Sequence, residues 1–91
     1  MVNAFILINI EEKNVRSIAE NLLTLEGVAE VYPIAGEYDI LCIVRVGDNT
    51  KLSRIVTEDI QNQIGIKSTK TLFALEAYSK VNLESLFQSI L

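Results

Sequence analysis

Val28-Ala29-Glu30-Val31-Tyr32-Pro33-Ile34-Ala35-Gly36-Glu37-Tyr38-Asp39-Ile40-Leu41-Cys42-Ile43-Val44-Arg45-Val46 is the stretch on which the fold turns. It reads as two strand-like runs, 28–35 and 39–46, folded back on each other around the corner Gly36-Glu37-Tyr38-Asp39. A plain hairpin connector needs special dihedrals and little else, and more often reads Asn-Gly or Asp-Gly. This corner instead carries two carboxylates and a phenol with no basic residue among them. Taken alone, four residues of this kind read first as a solvated turn, because short motifs are weak. The second reading is chemical: acids beside a glycine turn can hold an ammonium, and the freed backbone N–H groups can receive a carboxylate. Pro33 cannot donate to a ladder, so the first run is an edge strand or contains a bulge.

Outward from the hairpin, the N-terminal run Ala4-Phe5-Ile6-Leu7-Ile8-Asn9-Ile10 is short, β-branched and aromatic, the composition of a strand. The period then changes. Val15, Ile18, Ala19, Leu22 and Leu25 recur at helical spacing, with Asn14 to cap the start and Gly27 to close the end. After the hairpin, Gly47-Asp48-Asn49-Thr50 supplies a turn and caps for a second helix whose stripe is Leu52, Ile55, Val56, Ile60 and Ile64, ending at Gly65. A last strand covers 66–77. The order β-α-β-β-α-β predicts an α+β domain with a four-stranded antiparallel sheet, both helices on one face, and the first and third strands in the middle.

Both central strands are apolar on both sides: Phe5 and Leu7 against Ile6 and Ile8, and Ile40, Cys42 and Val44 against Leu41 and Ile43. A face left to water would alternate polar with apolar residues, so the helix-free face is expected to be covered, and a second copy of the sheet is the expected cover. The composition agrees. A hydrophobic fraction of 49% and a mean hydropathy of +0.30 are high for 91 residues, when a body of this size buries only about two thirds of its surface. The chain divides into a domain, 1–78, and a tail, 79–91. In the tail Leu83, Leu86, Phe87, Ile90 and Leu91 share one helical face, giving a short amphipathic helix that must dock to persist.

Several classes of function are disfavoured. The net charge is −4, and the basic residues are scattered rather than clustered, so the counterion-release drive for nucleic-acid binding is largely missing. The chain has no His and one Cys, which removes the usual zinc and soft-metal ligand sets, and no cofactor is expected. Cys42 reads as a small core residue. The four glycines are single punctuation marks and form no phosphate loop. Apolar runs are too short for a membrane span, no signal-peptide pattern opens the chain, and a cytoplasmic address is expected. The adjacent acids Glu58 and Asp59 point about 100° apart on a helix and read as a solvated face.

The element order, the corner Ile34-Ala35-Gly36-Glu37-Tyr38-Asp39-Ile40-Leu41 and the strand Thr69-Lys70-Thr71-Leu72-Phe73-Ala74-Leu75 together resemble the effector-binding domain of the Lrp/AsnC (feast/famine) transcriptional regulators. The resemblance covers 4–77. It implies a ferredoxin-like fold, dimers packed sheet to sheet, higher rings such as octamers, and amino acids or related metabolites bound between dimers. It implies ligand contacts at Gly36, Glu37, Tyr38 and Asp39, with Thr69 and Thr71 nearby. Such regulators carry an N-terminal helix-turn-helix module, whereas this chain opens on the first strand; it resembles a stand-alone version that reaches DNA only by assembling with a full-length relative.

Three functions follow from these readings. The leading one is a non-enzymatic, oligomeric sensor of an amino acid or related metabolite. The second is an assembly or adaptor module with an empty corner. The third is a small enzyme of the dimeric α+β barrel kind with substrate between the sheets. Such enzymes usually place a His or Arg in that cavity, and Arg45 is the one charged residue on either central strand.

Overall fold

The computed structural model describes residues 1–11 and 14–80. Strand β1 (Val2–Ile10) leads to helix α1 (Val15–Leu23), strands β2 (Val28–Pro33) and β3 (Ile40–Val46), helix α2 (Asn49–Arg54) and its π-helical continuation Ile55–Ile60, then strand β4 (Ile66–Phe73). The strands form one antiparallel sheet in the order β2-β3-β1-β4. The expected α+β topology and the central position of the first and third strands are both present. The expected tail helix lies outside the described residues.

Each helix starts on a side chain that accepts an otherwise orphaned N–H. The Asn14 amide oxygen accepts from Ser17 N at 3.2 Å, and Asp48 Oδ1 accepts from Lys51 N at 2.8 Å. From α1, Ile18 and Leu22 are buried. They meet Ala4, Ile6, Ile8, Ile40, Cys42, Val44 and Val46 from the sheet and Leu52, Ile55 and Ile60 from the second helix, and these residues are the core. Gly27 sits where α1 turns into β2, with φ +91°. A Cβ there would lie 2.5 Å from Ile55 Cδ1 and 2.7 Å from Val46 Cγ1, so the position needs glycine for both dihedral and space.

Three boundaries differ from the sequence reading, each for a physical reason. The second helix was expected to keep one α-helical stripe to Ile64, but Ile64 is 88% exposed. At 3.6 residues per turn Ile55 and Ile60 would stand about 140° apart. The π-helical turn, with its wider i→i+5 repeat, brings both into the core and leaves Ile64 outside. The last strand stops at Phe73 rather than Ala77 because its antiparallel partner runs out: Ala4 pairs with Phe73, Ala74 N donates to Asn3 O at 3.0 Å, and β1 begins one residue earlier. The first hairpin strand ends at Pro33, on the sheet edge, and its register shifts between Val28 and Glu30 as at a bulge.

The sheet's two faces are unequal. Opposite the helices, the register aligns Glu30, Ile43, Phe5 and Leu72 in one row and Tyr32, Leu41, Leu7 and Lys70 in the next. Phe5, Tyr32 and Leu72 are exposed, and Leu7, Leu41 and Ile43 are half-buried.

Replacing Gly27 with Ala is expected to lower the denaturant midpoint by about 2–4 kcal/mol of stability, combining positive-φ strain with overpacking. Gly36→Ala, where an added Cβ meets nothing within 4 Å, is expected to cost about 1–2 kcal/mol from its dihedral alone. Equal losses in urea unfolding would contradict the packing assigned to Gly27.

Candidate functional site

The corner between β2 and β3 is held at both ends. Ile34 N donates to Asp39 O at 2.9 Å and closes the loop on itself. Asp39 N donates to Ile8 O at 2.9 Å, and Asp39 Oδ2 accepts from Ile10 N at 2.9 Å. Backbone pairing between β1 and β3 ends at Ile8 and Ile40. The Asp39 carboxylate therefore supplies one more rung to a ladder that has run out of backbone. Ile10 also lies at the register shift between β1 and β4, where the chain would otherwise be poorly tied.

Between these anchors Gly36 takes φ +143°, a region that favours glycine, and its Cα faces open space. Glu37 is exposed and Tyr38 is half-buried. The corner thus presents an accessible backbone, one free-standing acid and one phenol on a base fixed to the sheet. A carboxylate at the mouth of an apolar strand needs a partner wherever it is covered. The structure supplies one within the chain, so Asp39 acts first as a positioning residue.

The strand threonines lie apart from the corner. Ile8 pairs with both Ile40 and Thr69, so Thr69 shares the corner's end of the sheet but stands two strands away from β3, roughly 10 Å at ordinary strand spacing. Its hydroxyl accepts from Gln61 Nε2 at 2.9 Å. Thr71 is one row further off, paired with Ile6, and lines a different groove with Leu52, Val56 and Phe73. The six candidate residues do not converge in a single pocket of one chain. Neither the Ile10 amide nor Gln61 was singled out from the sequence: a backbone N–H carries no residue signature, and the π-helical turn precedes Gln61 directly.

Two concavities lie away from the corner, the second of them beside Thr71. One, of about 570 Å³, is bordered by Gly27, Arg45, Asp48, Lys51 and Arg54. The other, of about 660 Å³, lies between α2 and the end of β4. No group of three or more His, Cys, Asp or Glu side chains is placed to hold a metal among the described residues. No helix among them is long and apolar enough to cross a membrane. Cys42 is fully buried, and burial pushes its thiol up to about 11, which suits a packing role and not a nucleophile. The Tyr32 phenol is raised chiefly by donating to Glu30 Oε2 at 2.8 Å; Tyr78 is raised chiefly by its bond to Glu76.

With this geometry in hand, the Lrp/AsnC ligand binding domain model matches residues 3–83. The chain belongs to the Lrp/AsnC ligand-binding domain family. Its fold is also seen in the crystal structure of TTHA0845 from Thermus thermophilus, at a TM-score of 0.81 and 38% identity over 88% of this chain and 100% of that one. An uncharacterized HTH-type transcriptional regulator of Pyrococcus abyssi is 34% identical over 76 residues, 80% of this chain and 51% of the regulator. A homocitrate synthase of Sulfolobus acidocaldarius is 42% identical over 60 residues, 66% of this chain and 13% of the enzyme. The chain therefore spans about half of the regulator's length and a small part of the synthase's. Homologues of this Lrp/AsnC domain are transcriptional regulators.

Replacing Asp39 with Ala strands the Ile10 amide and is expected to cost about 1–3 kcal/mol, while Asp39→Asn keeps an acceptor and costs less. Hydrogen exchange at Ile10 reads this directly. Protection should fall in the Ala variant and be largely kept in the Asn variant; unchanged protection in both would show that the extra rung does not hold the corner.

Proposed function

We propose that this domain is a non-enzymatic, cytoplasmic sensor that binds an amino acid or related small metabolite at Gly36, Glu37, Tyr38 and Asp39, with Thr69 and Thr71 as outer contacts. The observation that carries the reading is the corner itself: open backbone at Gly36 and an exposed carboxylate at Glu37, on a loop that Asp39 ties to the central strand. A zwitterion asks for this pair of groups, an acceptor for its ammonium and N–H donors for its carboxylate. The corner is open on its outer side, so the remaining contacts come from another copy, in a homodimer that assembles further, with an octamer as the expected ring. Binding would then be coupled to assembly, because a ligand that touches two subunits favours the state in which both are present. A full-length Lrp/AsnC regulator is the natural recipient of that signal, and direct nucleic-acid contact by this chain is not part of the proposal.

A second reading, the ligand-free assembly module, is favoured by one observation: one oxygen of Asp39 is already used inside the chain. Isothermal calorimetry with each proteinogenic amino acid separates the two. The sensor reading expects one or a few to bind with about 5–8 kcal/mol, dissociation constants near the micromolar to sub-millimolar range. It also expects Glu37→Gln and Gly36→Val to weaken binding at least tenfold while the circular dichroism spectrum is kept. No heat with any amino acid, and no ligand-dependent shift in melting temperature, would overturn it.

A further inference from the structure

On the helix-free face the corner adjoins a polar row. Asp39 bonds the residues on both sides of Asn9: its N–H donates to Ile8 O at 2.9 Å, and its Oδ2 accepts from Ile10 N at 2.9 Å. It therefore stands beside Asn9. On the other side Asn9 pairs with Ser68 across β1 and β4, and Asn9 Nδ2 donates to Ser68 Oγ in a long hydrogen bond of 3.5 Å. Ile8 is buried in the core under the helices, so Asn9, next along the strand, projects from the opposite face. Asp39, Asn9 and Ser68 form a row across three strands that ends the apolar rows of Phe5 and Leu7.

One cation on this face lies within reach of the row. Lys70 is two residues along β4 from Ser68, pairs with Leu7 and is exposed. At ordinary strand spacing its Cα stands about 8 Å from that of Asn9, a gap that an extended lysine side chain and one hydrogen bond close. Its ammonium has no ion-pair partner among the described residues. Arg45 lies at the far end of the face, paired with Asn3.

We propose that Asn9, Ser68 and Lys70 complete the amino-acid site begun at the corner, with the Lys70 ammonium as counter-charge for the ligand's carboxylate. This inference rests on the sensor reading and deepens it. The corner offers acids and open backbone but no positive charge, and a carboxylate taken out of water needs a cation as well as hydrogen bonds. Glu37 stands on the β3 side of the row and Lys70 on the β4 side, so the two charges of a zwitterion are drawn to opposite ends. Between them the Asn9 amide and the Ser68 hydroxyl each donate and accept. An amino acid with both main-chain charges free fits this arrangement. Its α-carboxamide leaves Lys70 without a partner.

Calorimetry on the full chain, with each proteinogenic amino acid and the matching α-carboxamide, tests this. For the amino acid that binds most tightly, the carboxamide is expected to bind about tenfold more weakly or worse. Lys70→Met should weaken the acid by about tenfold and leave the carboxamide nearly unchanged, so that the preference disappears, whereas Lys70→Arg should keep it. Asn9→Ala should weaken both forms alike. A preference for the acid that survives Lys70→Met would overturn this inference and leave the sensor reading standing. No binding of any amino acid by the wild-type chain would overturn both.

Discussion

Everything in this domain depends on the pairing of β1 with β3 and on the apolar character of both strands on both sides. On one face the arrangement is complete. Ala4, Ile6, Ile8, Ile40, Cys42, Val44 and Val46 are sealed under two helices. On the other, Phe5, Leu7, Leu41, Ile43 and Leu72 form a contiguous set that is exposed or half-buried. Fully burying a side chain of this kind is worth about 1.5–3 kcal/mol, and a sheet that offers several together is built to be covered. Asn3, in the row with Arg45 on this face, has a buried Oδ1 without a hydrogen-bond partner among the described residues.

The corner proposed as the ligand site is held by the same strands. Gly36 and Glu37 are useful to a ligand only if their loop has a fixed place, and that place is set by Asp39 bonding β1 through both its backbone and its carboxylate. In the proposed reading, binding at the corner and association through the sheet would be linked by a short route. β1 runs from the face proposed for the second copy to the amide that anchors the loop. A regulator needs such a link, because a ligand moves an equilibrium only by its different affinity for two states.

Much of this was legible in the residues. Asn14 announced the first helix start and the turn Gly47-Asp48-Asn49-Thr50 the second, with Asp48 the residue that caps it; Pro33 marked an edge strand or a bulge, and Cys42 its own burial, because each signal is a side chain whose chemistry limits its place. The two-sided central strands led to the expectation of a second copy over the helix-free face, where Phe5, Leu7, Leu41, Ile43 and Leu72 are exposed or half-buried. What stayed hidden had no side-chain signature. The π-helical turn follows from the need to bury both Ile55 and Ile60, which only the packed sheet imposes. The end of β4 was set by the length of its partner rather than by its own composition. Asp39 was legible as a corner acid, yet its carboxylate accepts from a backbone amide 29 positions away in the chain, and no spacing rule points there. Thr69 and Thr71 rested on a resemblance, and their distance from the corner is a matter of strand order that the hairpin motif does not contain.

The most direct test of the account is the mass of the native particle by size-exclusion chromatography with light scattering, over a dilution series down to micromolar chain. The account predicts a mass at least twice the 10.2 kDa of one chain, reduced to that of one folded chain by Ile43→Lys on the open face. A wild-type particle of one chain at every concentration, with the sheet face left to solvent, would contradict it.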